Sequence, residues 1–379
     1  MEDLMKKRVS EQIYELNKRR TLYLMYEREE PISRPEIARN LLISLPAVSN
    51  ITDALLTEGL IVDVGIENTS RGRKPALYAI NRTGFNTIGI KIAFNRGNAV
   101  LLNAVGEILS KREYTFEKNI SFDDLMVIIR EQCDLLLQES NERTDSLMGI
   151  SIAFPAPLSL NNKLIRSRFY GWKDIDLPEK IKLEGVKIPL IWENDANVLA
   201  LGYSRVLKEP NLIAAVLDIG IGVGITMNGR MFKGGNGQAG EIGQTLVSNN
   251  YPLEVLLTEK TLVEFSREFL KLELRDRIKI LDQLEVQKES EKVQEIYRKA
   301  SRKLGEVLSV AAITLDTDLI VLSGSLAAHC PTMVKQVAEQ INHFSSFKKE
   351  VLILNTDSNP TAVGGHRLIV ESMFNLEEV

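Results

Sequence analysis

Cysteine is scarce in this chain of 379 residues: only Cys133 and Cys330 occur, far apart and without a neighbouring partner. This excludes a disulfide scaffold and a structural zinc site built on cysteine pairs. Histidine is almost as rare, and His329, His343 and His366 show no spacing typical of metal ligands. We therefore expect the protein to hold no metal.

Long hydrophobic runs and an excess of positive charge are also missing. The longest apolar runs, such as residues 212–217, are far too short to span a bilayer. The N-terminus is charged and lacks the apolar core of a signal peptide, so we expect a cytoplasmic protein with no membrane partner. The formal net charge of -4 excludes a generally basic surface. Any contact with DNA must therefore come from local patches.

The N-terminal part has the pattern of a winged helix-turn-helix. An apolar stripe predicts a helix over residues 11–30, and Ser33 and Glu36 have the spacing of a capping box that starts a second helix. Ser44 is the expected cap of a third helix over about residues 46–58. The β-prone and turn-forming residues that follow, as far as residue 80, predict a two-stranded wing with a basic tip.

Small and polar side chains on the third helix, and basic side chains on the wing, are the candidate DNA contacts. Serine and asparagine can pair with base edges, whereas arginine and lysine suit phosphate and minor-groove contacts. The candidates are Ser44, Ala47, Ser49, Asn50, Arg71, Arg73 and Lys74. A second basic cluster lies at residues 18–20. A winged helix that binds protein rather than DNA is the alternative.

The remaining chain predicts a duplicated α/β body with a cleft between its halves, because two β-rich stretches are each followed by helices. In the first half we predict strands over residues 87–93, 99–103, 107–114 and 149–154 and a helix over residues 121–138. The second half repeats this order in strand 214–217, a hairpin at 228–230 and strand 319–324.

A polar cluster follows the apolar strand 188–191 and is the candidate binding site of the body. Amide and carboxylate side chains at Asn194, Asp195 and Asn197 can hold a polyol, and an aspartate there can take a proton from a sugar hydroxyl. A glycine-rich turn can bring Glu241 to the same cleft. The alternatives are a helix cap for Asp195 and a hydrogen-bonded turn residue for Glu241.

These motifs together resemble the ROK family (repressor, open reading frame, kinase), in particular its transcription-regulator branch, over about residues 10–370. Gly-Arg-Lys-Pro at 72–75 resembles the element that closes the winged helix in those regulators. Glu-Asn-Asp-Ala-Asn at 193–197 matches the motif whose aspartate is the catalytic base of the family kinases. Ala-Gly-Glu-Ile-Gly at 239–243 matches the motif whose glutamate contacts the sugar.

The resemblance implies an α/β protein with an N-terminal winged helix-turn-helix at residues 1–82. The body would be a duplicated actin-like or hexokinase-like (ribonuclease H-like) ATPase fold, with halves at 83–200 and 201–379. It also implies a set of sugar-binding residues, of which Glu254 is aligned across a deletion. That set is Asn194, Asp195, Glu241, Gln244 and Glu254.

Departures from the family pattern distinguish the regulator branch from the kinase branch. Family kinases begin the body with Asp-x-Gly-Gly-Thr-Lys, where this chain has Lys91 and Phe94. In the second phosphate loop, Asp218 adds negative charge and Ile219 removes a hydroxyl donor, and both changes oppose ATP binding. Gln244 stands in place of the zinc-binding histidine, and the family's zinc cysteines are absent.

We therefore expect a sugar-responsive DNA-binding transcriptional regulator, a repressor of carbohydrate-utilisation genes. Its partners would be operator DNA and a monosaccharide or sugar phosphate, in a homodimer or homotetramer without a cofactor. The alternative is an ATP-dependent sugar kinase of the N-acetylglucosamine or glucose type. In that case Asp195 would be the catalytic base, and ATP and magnesium would be the cofactors.

Overall fold

A small N-terminal head precedes a larger body of two lobes, each built on its own sheet. The computed structural model describes residues 2–66, 75–93, 95–117, 119–167, 170–218, 220–245, 252–254, 277–354 and 358–374. Within these ranges, no helix combines the length and the apolar character needed to cross a membrane.

The head has the winged-helix arrangement. Its elements are α1 (Glu2–Arg28), β1 (Ile32–Ser33), α2 (Arg34–Leu41), α3 (Leu45–Thr57), β2 (Ile61–Ile66) and β3 (Ala76–Ile80). Strand β3 lies between β1 and β2 and pairs antiparallel with both. Helix α1 begins at Glu2, well before the predicted start at residue 11. The wing tip, residues 67–74, lies outside the described residues.

Local hydrogen bonds set the helix starts in the head as the sequence predicts. The Glu36 carboxylate accepts hydrogen bonds from the Ser33 backbone N–H (3.0 Å) and hydroxyl (2.8 Å), which lower the pKa of Glu36. The Ser44 hydroxyl accepts a hydrogen bond from the Ala47 N–H at 3.4 Å. The Ser33–Glu36 bonds fix the start of α2, and the Ser44 bond fixes the start of α3.

The first lobe is a mixed sheet with parallel strands at its centre. Its elements are β4 (Asn86–Ile92), β5 (Arg96–Asn103), β6 (Ile108–Thr115), α4 (Phe122–Ser140), β7 (Leu147–Phe154), β8 (Lys163–Arg166), β9 (Lys173–Asp176), β10 (Lys180–Leu183), β11 (Val186–Asn194) and α5 (Asp195–Leu207). The sheet order is β10-β11-β7-β4-β5-β6, and β4, β7 and β11 run parallel.

The second lobe follows the same plan. Its elements are β12 (Leu212–Leu217), β13 (Ile221–Met227), β14 (Arg230–Met231), α6 (Arg277–Val286), α7 (Glu291–Leu315), β15 (Leu319–Ser323), α8 (Ser325–His329), α9 (Pro331–Phe344), β16 (Glu350–Ile353) and α10 (Ser358–Phe374). The sheet order is β14-β13-β12-β15-β16, with β12, β15 and β16 parallel.

The two sheets repeat one topology. In each, the first strand carries an antiparallel hairpin on one side (β5-β6 or β13-β14) and two parallel strands on the other (β7-β11 or β15-β16). The predicted duplication is therefore confirmed. Helix α10 returns from the second half to pack on β4, β7 and α5. The domain limits 1–82, 83–200 and 201–379 stay predictions.

His366 on α10 is buried where the head meets the body. Its Nδ1 lies 2.9 Å from the Thr87 hydroxyl on β4, and its ring lies 5.6 Å from that of Tyr26 on α1. Burial, reinforced by the nearby positive charge of Arg205, lowers the pKa of His366 from its ordinary 6.5 to about 3. The imidazole is therefore neutral in the folded protein at neutral pH.

We predict that His366 makes the fold sensitive to acid. Between pH 6.5 and about 3 the unfolded chain binds a proton here that the folded chain does not, so stability is lost as the pH falls through this window. The slope contributed by this residue reaches about 1.4 kcal/mol per pH unit. Urea unfolding of the wild type and His366→Gln at pH 7 and pH 5 measures it. The wild type should lose more stability between the two pH values, and equal losses would contradict the assignment.

Candidate functional site

Asn194 joins the end of β11 to the start of α5. Its side-chain oxygen accepts hydrogen bonds from the N–H groups of Ala196 (3.0 Å) and Asn197 (3.3 Å). Its amide nitrogen donates to the carbonyl of Ala156 at 3.3 Å, in the turn after β7. Both ends of this amide are thus used inside the protein, and they fix the position of the first turn of α5.

Asp195 is the first residue of α5 and is half-buried. Burial is the main cause that raises the pKa of its carboxyl, and the negative charge of Asp218 acts in the same direction. The positive charge of Lys91 on β4 opposes both. Side chains from β4, from the end of β12 and from α5 therefore act on one carboxylate. A carboxylate with a raised pKa is suited to accept a proton or a hydrogen bond from a hydroxyl.

Glu193 is buried and forms an ion pair with the partly exposed Lys233 of the second lobe. One of its carboxylate oxygens accepts hydrogen bonds from the Asn194 N–H (2.8 Å) and the Asn197 amide (3.0 Å). The other lies 2.6 Å from the ammonium nitrogen of Lys233, on the loop after β14. Glu193 was not among the predicted site residues. Its place beside Asn194 and Asp195 in the motif is the signal that was available.

The remaining predicted sugar contacts lie in the second lobe. Glu241 is half-buried and precedes the short 3-10 helix Ile242–Gln244. The Gln244 amide donates to the Glu254 carboxylate at 2.7 Å. The other oxygen of that carboxylate lies 3.5 Å from the position that a Cβ on Gly220 would take. Glu254 and Asp218 therefore flank the same turn after β12, and Asp218 is the residue that acts on Asp195.

The glycines of the second loop have a packing role that sequence reasoning missed. A Cβ on Gly224 would lie 2.1 Å from the carbonyl oxygen of Ala196, and one on Gly222 would lie 3.0 Å from the Ala196 Cβ. A Cβ on Gly240 would lie 1.9 Å from the carbonyl oxygen of Val223. Strand β13 thus lies directly against the first turn of α5. Gly222 and Gly224 are needed for this contact whether or not a phosphate binds, and Gly240 is needed where its own turn meets β13.

We predict that Gly224→Ala destabilises the body and disturbs the start of α5. The added methyl group cannot fit between β13 and the Ala196 carbonyl, and such overpacking costs about 1–3 kcal/mol. Gly235→Ala is the matched control, because nothing lies within 4 Å of its Cβ position. We expect the control to stay within about 0.5 kcal/mol of the wild type in urea unfolding. Equal stability of the two variants would contradict the packing role.

The turn after β12, which aligns with the second phosphate loop of the family kinases, carries a negative side chain. The Asp218 carboxylate accepts a hydrogen bond of 2.6 Å from the Ser325 N–H, at the start of α8. A backbone donor at the end of β15 is thus used by a negative side chain, which would repel phosphate. Phe94 and Ile219, also predicted to oppose ATP, lie outside the described residues. In the ranges given above, no three His, Cys, Asp or Glu side chains form a metal-binding group.

The candidate base contacts share the accessible face of α3. Ser44 and Asn50 are exposed, and Ala47 and Ser49 are half-exposed. The opposite face, with Val48 as one example, is buried in the core of the head. The wing candidates Arg71, Arg73 and Lys74 lie outside the described residues.

The basic cluster at residues 18–20 is less available for contacts with DNA than its sequence suggests. The Lys18 ammonium lies 2.5 Å from the Glu58 carboxylate, and Arg20 donates to the Leu41 carbonyl at 3.4 Å. Both contacts join α1 to the ends of α3 and α2. Arg19 is exposed. This cluster therefore serves partly to hold the head together.

This chain is similar to known proteins over both the head and the body. Residues 87–371 match the model of the ROK family. The xylose repressor of Bacillus spizizenii is 27% identical over 231 residues, which span 59% of this chain and 59% of that protein. The xylose repressor of Staphylococcus xylosus is 26% identical over 384 residues, 96% of each chain.

A solved structure supports the fold over nearly the whole chain. The crystal structure of a ROK family transcriptional regulator, a homolog of the E. coli MLC protein, matches with a TM-score of 0.74 at 17% identity. It covers 96% of this chain and 97% of that one. The predicted fold class is confirmed, and the extent of the family match shows that this chain belongs to the ROK family.

Proposed function

We propose that the protein is a sugar-responsive transcriptional regulator, a repressor of carbohydrate-utilisation genes. The observation that carries the proposal is the arrangement around Asp195. The acidic centre suited to a sugar hydroxyl is kept, whereas Asp218 takes the backbone donor that a phosphate would need. The same chain carries a head whose α3 presents Ser44 and Asn50 to solvent. The relatives named xylose repressors support the same function.

The charges in the cleft favour a neutral monosaccharide over a sugar phosphate. Asp195 and Asp218 act on each other, the predicted contacts Glu241 and Glu254 are also acidic, and Lys91 is the cation that acts on Asp195. Carboxylates accept hydrogen bonds from sugar hydroxyls but repel phosphate. The names of the relatives make D-xylose the first sugar to test.

Sugar binding would be coupled to DNA binding, because both depend on the position of the two lobes relative to the head. Closure of the cleft around the sugar would select one arrangement of the body. In a homodimer or homotetramer, the heads would then change their spacing on two operator half-sites.

The alternative function is a kinase, to which residual binding of ATP with magnesium would belong. The raised pKa of Asp195 favours this alternative, because a general base needs such a pKa.

Gel-shift assays with the full chain test the regulator function. DNA from the region upstream of its own gene, and of neighbouring sugar-utilisation genes, is compared with random DNA, with and without D-xylose, D-glucose or N-acetylglucosamine. We expect preference for one upstream fragment and a change in affinity with one sugar. Absence of any preference would refute the proposal. In coupled kinase assays with the same sugars, turnover on the order of 1 per second or more would favour the kinase.

We predict that the acidic side chains of the site carry sugar affinity. Buried hydrogen bonds to charged groups contribute about 1.5–3 kcal/mol each, so Asp195→Asn and Glu241→Ala should each weaken sugar binding by roughly ten- to hundredfold. Isothermal titration calorimetry measures the effect. Glu289→Gln, an exposed carboxylate between α6 and α7, is the control and should bind as the wild type does. Unchanged affinity in both site variants would place the sugar elsewhere.

We also predict that α3 and the wing contribute differently to DNA binding. Asn50→Ala should relax discrimination at particular operator positions, with about 1–3 kcal/mol at stake for a good bidentate contact. The double variant Arg71→Ala and Arg73→Ala should instead weaken binding to all sequences and reduce its salt dependence. Salt titrations on operator and random DNA separate the two effects. The same loss on both DNAs for Asn50→Ala would contradict base recognition.

A further inference from the structure

Helix α5 begins in the candidate sugar site and ends against the head. Its 13 residues span roughly 20 Å, from Asp195 to the last turn that carries Arg205. The Arg205 guanidinium donates to the Tyr26 carbonyl at the end of α1 (2.9 Å) and pairs with Glu29 (2.9 Å). It also lies 4.7 Å from the centre of the Tyr26 ring. One side chain thus holds the backbone, an aromatic ring and a carboxylate of the head.

A second arginine of the body holds the same turn of α1. Arg367 on α10 is buried, and it pairs with Glu27 at 3.3 Å and with Glu371 at 2.8 Å. Arg205 also approaches the same Glu27 oxygen, at 3.8 Å. The last turn of α1 is therefore bound by α5 and α10 together.

Helices α5 and α10 are packed backbone to backbone. A Cβ on Gly202 would lie 1.7 Å from the Pro360 carbonyl oxygen, and a Cβ on Gly364 would lie 2.0 Å from the Val198 carbonyl oxygen. Such close contact leaves no space for one helix to move alone, so a displacement at the start of α5 is carried along both helices. Both arginines at the head then move with it.

Two further ion pairs near the junction are weaker. Lys208, just after α5, lies 3.5 Å from Glu29, but the Lys208 side chain is 79% exposed. Arg82, in the connection between head and body, pairs with Glu107 at 2.9 Å, but the two side chains are 69% and 50% exposed. Arg205 is 16% exposed, so its contacts are less screened by solvent. The planar guanidinium also forms several bonds in one fixed geometry, which a flexible lysine cannot reproduce.

We infer that Arg205 is a positioning residue that transmits the state of the sugar site to the DNA-binding head. The inference rests on the proposed function. When the sugar shifts the first turn of α5, Arg205 carries the shift to the last turn of α1, and α2 and α3 follow because they pack on α1. Loss of Arg205 leaves the sugar site and the DNA-reading face of α3 intact, but the sugar then no longer changes the affinity for the operator.

The test compares Arg205→Gln with Arg112→Gln in the full chain. Arg112 pairs with Glu139 on α4, and its side chain is 27% exposed, so it is a matched arginine away from the junction. Affinity for D-xylose, D-glucose and N-acetylglucosamine is measured by calorimetry, and affinity for the operator fragment by gel shift with and without each sugar. Hydrogen exchange of residues 22–28 is measured without any ligand.

For Arg205→Gln we expect unchanged sugar affinity and faster exchange in residues 22–28. The sugar-induced change in operator affinity, about 5- to 150-fold in a typical coupled protein, should fall below about twofold. Arg112→Gln should match the wild type in all three measurements. A full sugar response in Arg205→Gln would overturn the inference, as would unchanged exchange. If the wild type binds neither sugar nor operator, the proposed function fails, and the exchange measurement still decides whether Arg205 holds the head.

Discussion

The contact of α5 with its neighbours, backbone against backbone, is the constraint on which the rest of the structure depends. Gly224 on β13 admits the Ala196 carbonyl from one side. On the other side, Gly202 admits the α10 backbone, and Gly364 on α10 admits the α5 backbone. Any side chain at these positions would push the elements apart. The contact places Asp195 where β4, β12 and α5 meet, and it brings Arg205 to the head. Sugar site and head are thus built on one rigid helix pair.

Electrostatics in the cleft follow from the same placement. Glu193 is buried beside the start of α5, and its charge is balanced by Lys233 of the opposite lobe, so the ion pair joins the lobes next to Asp195. Removing Lys233 would leave the buried Glu193 carboxylate without its cation, whereas Lys233 itself is 42% exposed. Asp218 acts on Asp195 and also binds the Ser325 N–H. This arrangement supports the proposal that the cleft takes hydroxyl groups rather than phosphate.

Much of this architecture could be predicted from the sequence because its signals are local. The capping box at Ser33 and Glu36, the start of α3 at Ser44 and the central strands of both sheets follow from short-range patterns, whereas the edge strands β10 and β16 and the pair β8–β9 were not predicted. Long-range contacts could not be predicted. The packing role of Gly224 and the link between Arg205 and Tyr26 join residues far apart in the chain.

Two sets of predicted ligand contacts also have partners inside the protein. In the basic cluster at residues 18–20, Lys18 and Arg20 bind the ends of α3 and α2. Asn194 stays a predicted sugar contact, and its amide also fixes the start of α5. Polar side chains that can bind a ligand can also form hydrogen bonds with backbone groups of the protein, and the sequence alone does not distinguish the two roles.

The most direct test of the account is the affinity of the full chain for its sugar, measured by calorimetry with and without saturating operator fragment. If sugar site and head are coupled through α5, linkage requires that the operator change sugar affinity by the same factor by which the sugar changes operator affinity. The account predicts two equal factors, each of about fivefold or more. Identical sugar affinity on and off DNA would show that head and body act independently, and would contradict it.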